Sequence, residues 1–228
     1  MFAYLLFIVP GFLLSLCATF YVKSTFAKYA RIPSGRRLTG AEAAAMMLER
    51  AGVRNVTIEL ADGFLSDHYD PLHRVLRLSP EVHDSYSLSA VGVACHEAGH
   101  ALQHACGSGW MGLRSALVPA TNIGSNLSYV FILAGLLFHN PRLVLLGAAL
   151  FSIAVLFALV TLPVEWDASA RAKACMAADG IVTPAEAADA GRVLNAAFLT
   201  YVAAAVTAAL TLLYYLWRAG LFGGRRNE

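Results

Sequence analysis

The sequence predicts a mostly α integral membrane protein: four transmembrane helices, with a small α+β domain between the first and the second. Three observations lead there. Of the 228 residues, 58% are hydrophobic and only 14% charged, where an ordinary soluble domain carries about a quarter charged residues. The mean hydropathy is +0.59. Apolar stretches long enough to cross a bilayer recur along the chain, and residues 38–110 form the one substantial segment with the polar periodicities of a water-soluble domain.

Each element follows in order. Residues 1–22, "MFAYLLFIVPGFLLSLCATFYV", hold no charge, and as a helix they span about 33 Å, enough for the hydrocarbon core. A cleaved leader would open on a positive stretch and have a shorter apolar run, so this segment reads as transmembrane helix 1. Pro10 and Gly11 are expected to bend it without ending it. Residues 23–37 form a basic linker. The soluble domain opens with "TGAEAAAMMLERAG", where Thr39 and Glu42 have capping-box spacing and Gly52 is a stop. "VRNVTIEL" and "RVLRLS" alternate and favour β-branched residues, so both read as strands, with "GFLSDHYDP" as a strand edge and turn between them. A second helix is expected from near Ser87 or Ser89 to Cys106, ended by Gly107 and Gly109.

Residues 111–162 form a transmembrane hairpin. Its spans, 116–138 and 143–162, are joined by the tight turn "HNPR". The third span is expected to end at Pro163, followed by a loop or helix over 163–192, transmembrane helix 4 over 193–218 and a tail over 219–228. Lys23, Lys28, Arg31, Arg36 and Arg37 crowd the exit of the first span, which places the soluble domain in the cytoplasm. Arg171, Lys173 and Arg192 agree, against Arg142 on the other side, whereas Arg218, Arg225 and Arg226 of the tail oppose this orientation.

A formal net charge of +2, without basic runs interleaved with aromatics, gives no reason to expect a nucleic-acid partner. Cys17, Cys95, Cys106 and Cys175 make no CxxC pair and read as reduced packing residues.

The chemistry concentrates in "ACHEAGHALQHA", residues 94–105. On a helix His96 and His100 stand one turn apart on one face, so both imidazoles can meet one tetrahedral Zn²⁺ at about 2.1 Å. Glu97 lies about 100° round the axis, within reach of a water at the metal without being a ligand. His104 is eight residues from His96, about 12 Å along a straight helix, and is a poor third ligand. Metallopeptidases that draw a third histidine from the same stretch turn the chain with a glycine, as in HExxHxxGxxH; "HEAGHALQH" continues as helix. His104 is therefore expected near the site or as a polar residue at the membrane surface.

A catalytic zinc needs one more nitrogen or carboxylate ligand and a position left open for water. Glu165, in "LPVEWDASARAKA", is the candidate, because a carboxylate at the membrane boundary is costly unless paired or bound to a metal. Two spans separate it from HEAGH, and an even number returns the chain to the same face. The alternative is an interfacial residue paired with Arg171.

The ordered blocks "LSDHYDPLHRVLRLSPEVH", "VGVACHEAGHALQHA", "LRSALVPATNIGS", "LVTLPVEWDASARA" and "VLNAAFLTYVAAA" resemble the YugP-like neutral zinc metallopeptidases of bacteria, over about residues 38–210. The resemblance implies a multi-pass protein of the bacterial inner membrane, with a zincin-like domain, Zn²⁺ as cofactor and a glutamate ligand in the "PVEWDAS" block, which falls on Glu165. More distantly the chain is similar to the HtpX-like and CAAX-processing membrane proteases. Their second block reads ExxAD; here Ser169 stands at the aspartate's place and Asp167 is the nearest acid.

The expected function is hydrolysis of peptide bonds in a peptide or membrane-protein substrate at the lipid bilayer, with Glu97 as general base. His68, Tyr69, His73, Asn195 and Tyr201 are candidates for stabilising the oxyanion. "SDHYDP" leading into "RVLRLS" could hold an extended substrate by main-chain pairing, or be a plain hairpin. The rival is a catalytically weak membrane adaptor, in which the metal only holds the soluble domain to the bundle.

Overall fold

A computed structural model describes residues 2–63 and 66–221. Phe64 and Leu65 of the "GFLSDHYDP" stretch, and the tail from 222 onward with Arg225 and Arg226, lie outside the described residues. The elements in chain order are α1 (Phe2–Tyr29), α2 (Gly40–Arg50), β1 (Thr57–Leu60), β2 (His68–Asp70), β3 (Val75–Leu78), α3 (Pro80–His83), α4 (Leu88–Ala105), α5 (Gly109–Leu137), α6 (Pro141–Ala178) and α7 (Pro184–Arg218). The protein is mostly helical with one small sheet. Among the described residues α1, α5, α6 and α7 are long and apolar enough to cross a membrane.

The helix starts obey local chemistry. At α2 the Thr39 hydroxyl accepts from the Glu42 N–H at 3.2 Å, and the Glu42 carboxylate accepts from the Thr39 N–H at 2.8 Å, so two otherwise unpaired donors are satisfied reciprocally. Ser87 caps α4 by accepting from the Ala90 N–H. α1 runs without a break through Pro10. The short α3 over Pro80–His83 follows β3 directly, in a stretch read only as sequence between strand and helix.

The stretch after Pro163, expected as loop or helix, begins as helix: α6 continues through Pro163 to Ala178. A proline costs one backbone hydrogen bond and crowds the preceding turn. Buried contacts of Val164, Ala168, Ala172 and Met176 beyond it hold the helix in register. The continuation matters, because it places Glu165 and Ser169 one turn apart on a single face.

The described residues divide into two compact units, one of residues 2–18, 113–163 and 200–221, the other of residues 19–63, 66–112 and 164–199. Within the first, the Ser15 and Thr207 hydroxyls lie 3.0 Å apart and Thr207 donates to the Gly11 carbonyl at 2.9 Å, polar links of the kind that tie membrane helices.

In the second unit α4 is central. α2 packs across it, with Ala43, Ala44 and Met47 fully buried, and Val91, Ala94, Cys95 and Ala98 of α4 complete the shared core. The sheet order is β1-β3-β2, with β1 parallel and β2 antiparallel to β3. β2 is therefore an edge strand, His68 opposite Arg77 and Asp70 opposite Val75. Asp70 shapes the turn after it, accepting from the Leu72 N–H at 3.0 Å, His73 Nδ1 at 2.7 Å and Arg77 Nη1 at 3.2 Å. These partners, His73 first, hold the Asp70 carboxyl well below the usual carboxylate range.

Candidate metal centre

His96 and His100 stand one turn apart on the buried face of α4, 9% and 5% exposed, and Glu165 on α6 is 1% exposed. Glu165 Oε2 lies 3.1 Å from His96 Nε2 and 3.5 Å from His100 Nε2. One ligand atom from each residue lies within 4.8 Å of the other two. Two ligands about 2.0–2.1 Å from an ion at the tetrahedral angle stand about 3.3–3.4 Å apart. The two separations from Glu165, 3.1 and 3.5 Å, bracket that value, and the set of two imidazoles and one carboxylate suits zinc. The residues present therefore fit the ion.

Both imidazoles are oriented from behind. Gln103, fully buried one turn further along α4, donates from Nε2 to the Val164 carbonyl at 2.8 Å and to Asp167 Oδ2 at 2.8 Å. Those two donations turn its Oε1 toward His100 Nδ1, 2.9 Å away. The neutral His100 ring then carries its proton on Nδ1 and leaves the Nε2 lone pair free, and the charged ring also presents an Nε2–H to Glu165. Ser169 Oγ supports His96 from behind, 3.1 Å from its Nδ1. The nearby carboxylate, Asp167, reaches His100 through Gln103. Asp167 also accepts from Arg171 Nε at 2.8 Å, so Arg171 pairs with Asp167 and Glu165 faces the histidines. Burial alone would lower the His100 pKa, but hydrogen bonding to the Glu165 carboxylate and the charge of Glu97 raise it above its ordinary value.

Gly99 brings α4 and α6 this close. A Cβ at Gly99 would sit 2.7 Å from the Ala168 carbonyl oxygen, and Ala168 lies between Glu165 and Ser169.

Glu97 is not one of the three clustered ligands, and its carboxylate reaches β2. Its Oε2 accepts from the Tyr69 N–H at 3.1 Å, so the free edge of β2 faces α4 and steadies this carboxylate. The Tyr69 phenol, its pKa pushed up by burial, lies 2.9 Å from His104 Nδ1. His104 is therefore engaged with β2, outside the ligand cluster. His68 is exposed, with Nδ1 2.7 Å from the Ser66 carbonyl, and His73 belongs to the Asp70 turn. Asn195 is exposed and accepts from Lys173 Nζ at 3.2 Å. Tyr201 lies on α7 in the other unit.

Sequence reasoning missed Gln103. Its signal was a glutamine three residues after His100 on the apolar face of the motif helix, where a polar side chain needs a buried partner.

Residues 4–220 match the family described as "Putative neutral zinc metallopeptidase". The chain is also 44% identical over 203 residues to the "Putative membrane protease YugP" of Bacillus subtilis (strain 168), covering 89% of this chain and 90% of that protein. No solved structure matches the chain. With four apolar helices and a relative named as a membrane protease, the chain is a multi-pass membrane protein. The match over nearly its whole length places it in the neutral zinc metallopeptidase family.

Proposed function

We propose that the protein is a membrane zinc endopeptidase in which His96, His100 and Glu165 hold the metal and Glu97 is the general base. The observation that carries this reading is the convergence of three ligand atoms beside a carboxylate of the same helix that is not one of them. Catalytic zinc sites draw on three protein ligands and structural ones on four; the cluster found among the described residues has three. That count favours an enzyme over an adaptor.

What zinc supplies when bound is Lewis acidity, which lowers the pKa of a water toward about 7 and polarises a carbonyl. The chain's own residues do the rest. Gln103 and Ser169 bond the Nδ1 atoms of His100 and His96, so both Nε2 atoms would be free to hold the metal. Glu97, aimed by the Tyr69 N–H, takes a proton from the attacking water and returns it to the leaving amine. The outward edge of β2 supports an extended peptide by main-chain pairing, with Tyr69 bonding the substrate or Glu97. The basic residues after the first span, Lys23 to Arg37, support a cytoplasmic catalytic unit in the bacterial inner membrane.

The test is Glu97→Gln in the full-length protein in proteoliposomes, reading zinc per chain and cleavage of a quenched peptide library. Zinc should stay near one per chain while cleavage falls by at least about 10²-fold, the usual contribution of a general base. Intact cleavage in a zinc-loaded Glu97→Gln protein would falsify the mechanism. The adaptor predicts a silent Glu97→Gln and loss of cellular function in His96→Ala.

A further inference from the structure

Beyond the metal cluster, a cavity of about 220 Å³ lies in the same unit between β2, the segment before β1 and the last turns of α4. Val53, Val56, Ala101 and Ala105 make its apolar walls, and Asn55, Tyr69, Arg74 and His104 bring polar groups to it. Ala101, His104 and Ala105 follow Glu97 by four, seven and eight residues, so they continue the Glu97 face of α4 for about 6–12 Å. At roughly 3.4 Å per extended residue, that is about two or three substrate residues from the scissile bond.

Arg74 is the one permanently charged group in the lining. No acidic side chain lines the cavity. The Arg74 guanidinium makes no ion pair or hydrogen bond with the described residues, whereas its neighbour Arg77 is paired with Asp70 and Glu59. Arg74 is exposed, and its backbone is held in the left-handed region, φ 55°, with its carbonyl accepting from the Thr57 N–H at 3.1 Å. A non-glycine residue in that conformation is uncommon and carries strain unless the surroundings impose it. The Asn55 side chain likewise has no partner among the described residues. Tyr69 links the cavity to the chemistry, its N–H on Glu97 and its hydroxyl beside His104.

We propose that this cavity is a substrate subsite for a carboxylate, bound by Arg74 and Asn55 above small aliphatic walls, so that the enzyme favours peptides with an acidic residue a few positions from the cut. The proposal rests on the peptidase reading above. A glutamate side chain, two methylenes ending in a carboxylate, matches the order of apolar wall and cationic end. A free C-terminal carboxylate carries the same group, and the experiment separates the two. A guanidinium recognises a carboxylate by paired N–H donors, which a lysine reproduces only in part.

The experiment uses the full-length, zinc-loaded protein in detergent. Binding of three small probes is measured by calorimetry: N-acetylglutamate α-amide, N-acetylglutamine with a free α-carboxylate, and the neutral N-acetylglutamine α-amide. Inorganic phosphate is the competitor. Matched quenched peptides with Glu or Gln at each position give kcat/KM ratios. The side-chain carboxylate should bind about tenfold more tightly than the neutral probe. That preference should vanish in Arg74→Gln with zinc per chain unchanged, and return in part in Arg74→Lys. The Glu over Gln preference in cleavage should collapse with it. If the free α-carboxylate binds better than the side-chain acid, the site reads chain ends, and the preference for internal acidic residues is overturned. Equal binding of the neutral probe, binding that survives Arg74→Gln, or equal displacement by phosphate overturns the subsite altogether. Carboxylate binding lost in Arg74→Gln, without cleavage of any peptide, keeps the site and removes the peptidase reading. Cleavage without acidic preference does the reverse.

Discussion

Replacing Gly99 by alanine sets two physical effects against each other. Helix propensity alone favours alanine by about 1 kcal/mol, so an isolated α4 would be stabilised. The tertiary packing says otherwise. The new Cβ would lie 2.7 Å from the Ala168 carbonyl oxygen and 3.3 Å from its carbonyl carbon and Cα. Close carbon–oxygen contacts in proteins begin near 3.3 Å, so the helices must part by about 0.6 Å. The obstacle is backbone, which cannot swing aside as a flexible side chain would. Overpacking of this kind costs about 1–3 kcal/mol, enough to cancel or exceed the propensity gain. The same movement carries Glu165 and Ser169 away from His96, which they now approach at 3.1 Å each. Binding constellations tolerate only about 0.5 Å of misplacement, so zinc affinity should fall on the order of tenfold. The assay is zinc affinity by competition with a chromophoric chelator, together with the melting temperature in detergent with and without zinc. A Gly99→Ala protein that melts higher than wild type and binds zinc as tightly would show that the α4–α6 approach does not set the site.

Other outcomes follow from the same geometry. Gln103→Leu, close in volume but without the amide, should weaken zinc binding about 10–100-fold, the range for residues that orient a ligating histidine; unchanged affinity would remove Gln103 from that role. Ser169→Ala should act in the same direction through His96, and Ser169→Asp should restore affinity if a hydrogen-bond acceptor is all that position supplies. Because the folded-state pKa of His100 is raised, its contribution to the metal-free fold is complete below about 6.5 and is lost as pH rises through the raised value. Zinc needs the neutral ring, so its affinity should climb as pH rises from about 6.5 toward the raised value, by up to about tenfold per unit for each proton released; an affinity that falls as pH rises over that range would contradict this. Asp70 has the opposite sign: its depressed pKa adds stability that is present above about 3.8 and disappears as pH falls further. Asp70→Asn should therefore flatten the acid limb of an unfolding titration followed by near-ultraviolet circular dichroism.

What could be read from the amino-acid order alone is what depends on neighbours along the chain. Thr39 with Glu42, and Ser87 ahead of α4, announce helix starts because caps are satisfied within four residues. "VRNVTIEL" and "RVLRLS" contain β1 and β3 because alternation is local. The apolar runs mark all four membrane-length helices, since crossing a bilayer needs only length and hydropathy. HEAGH puts two imidazoles on one face by helical spacing, and the ordered blocks pointed to the family.

Tertiary structure decided the rest. That α6 passes Pro163 depends on the packing that compensates the lost hydrogen bond, which no window around "LPVEW" contains. That Ser169 backs His96, and Gln103 and Asp167 back His100, depends on side chains more than 60 residues apart meeting in a buried volume. That His104 joins Tyr69 follows from the register of an edge strand against the turns of α4. Gly99 shows the division most clearly. In the sequence it is a helix-weakening residue inside a motif, and in the fold it is the space through which one helix brings a carboxylate to another's histidines.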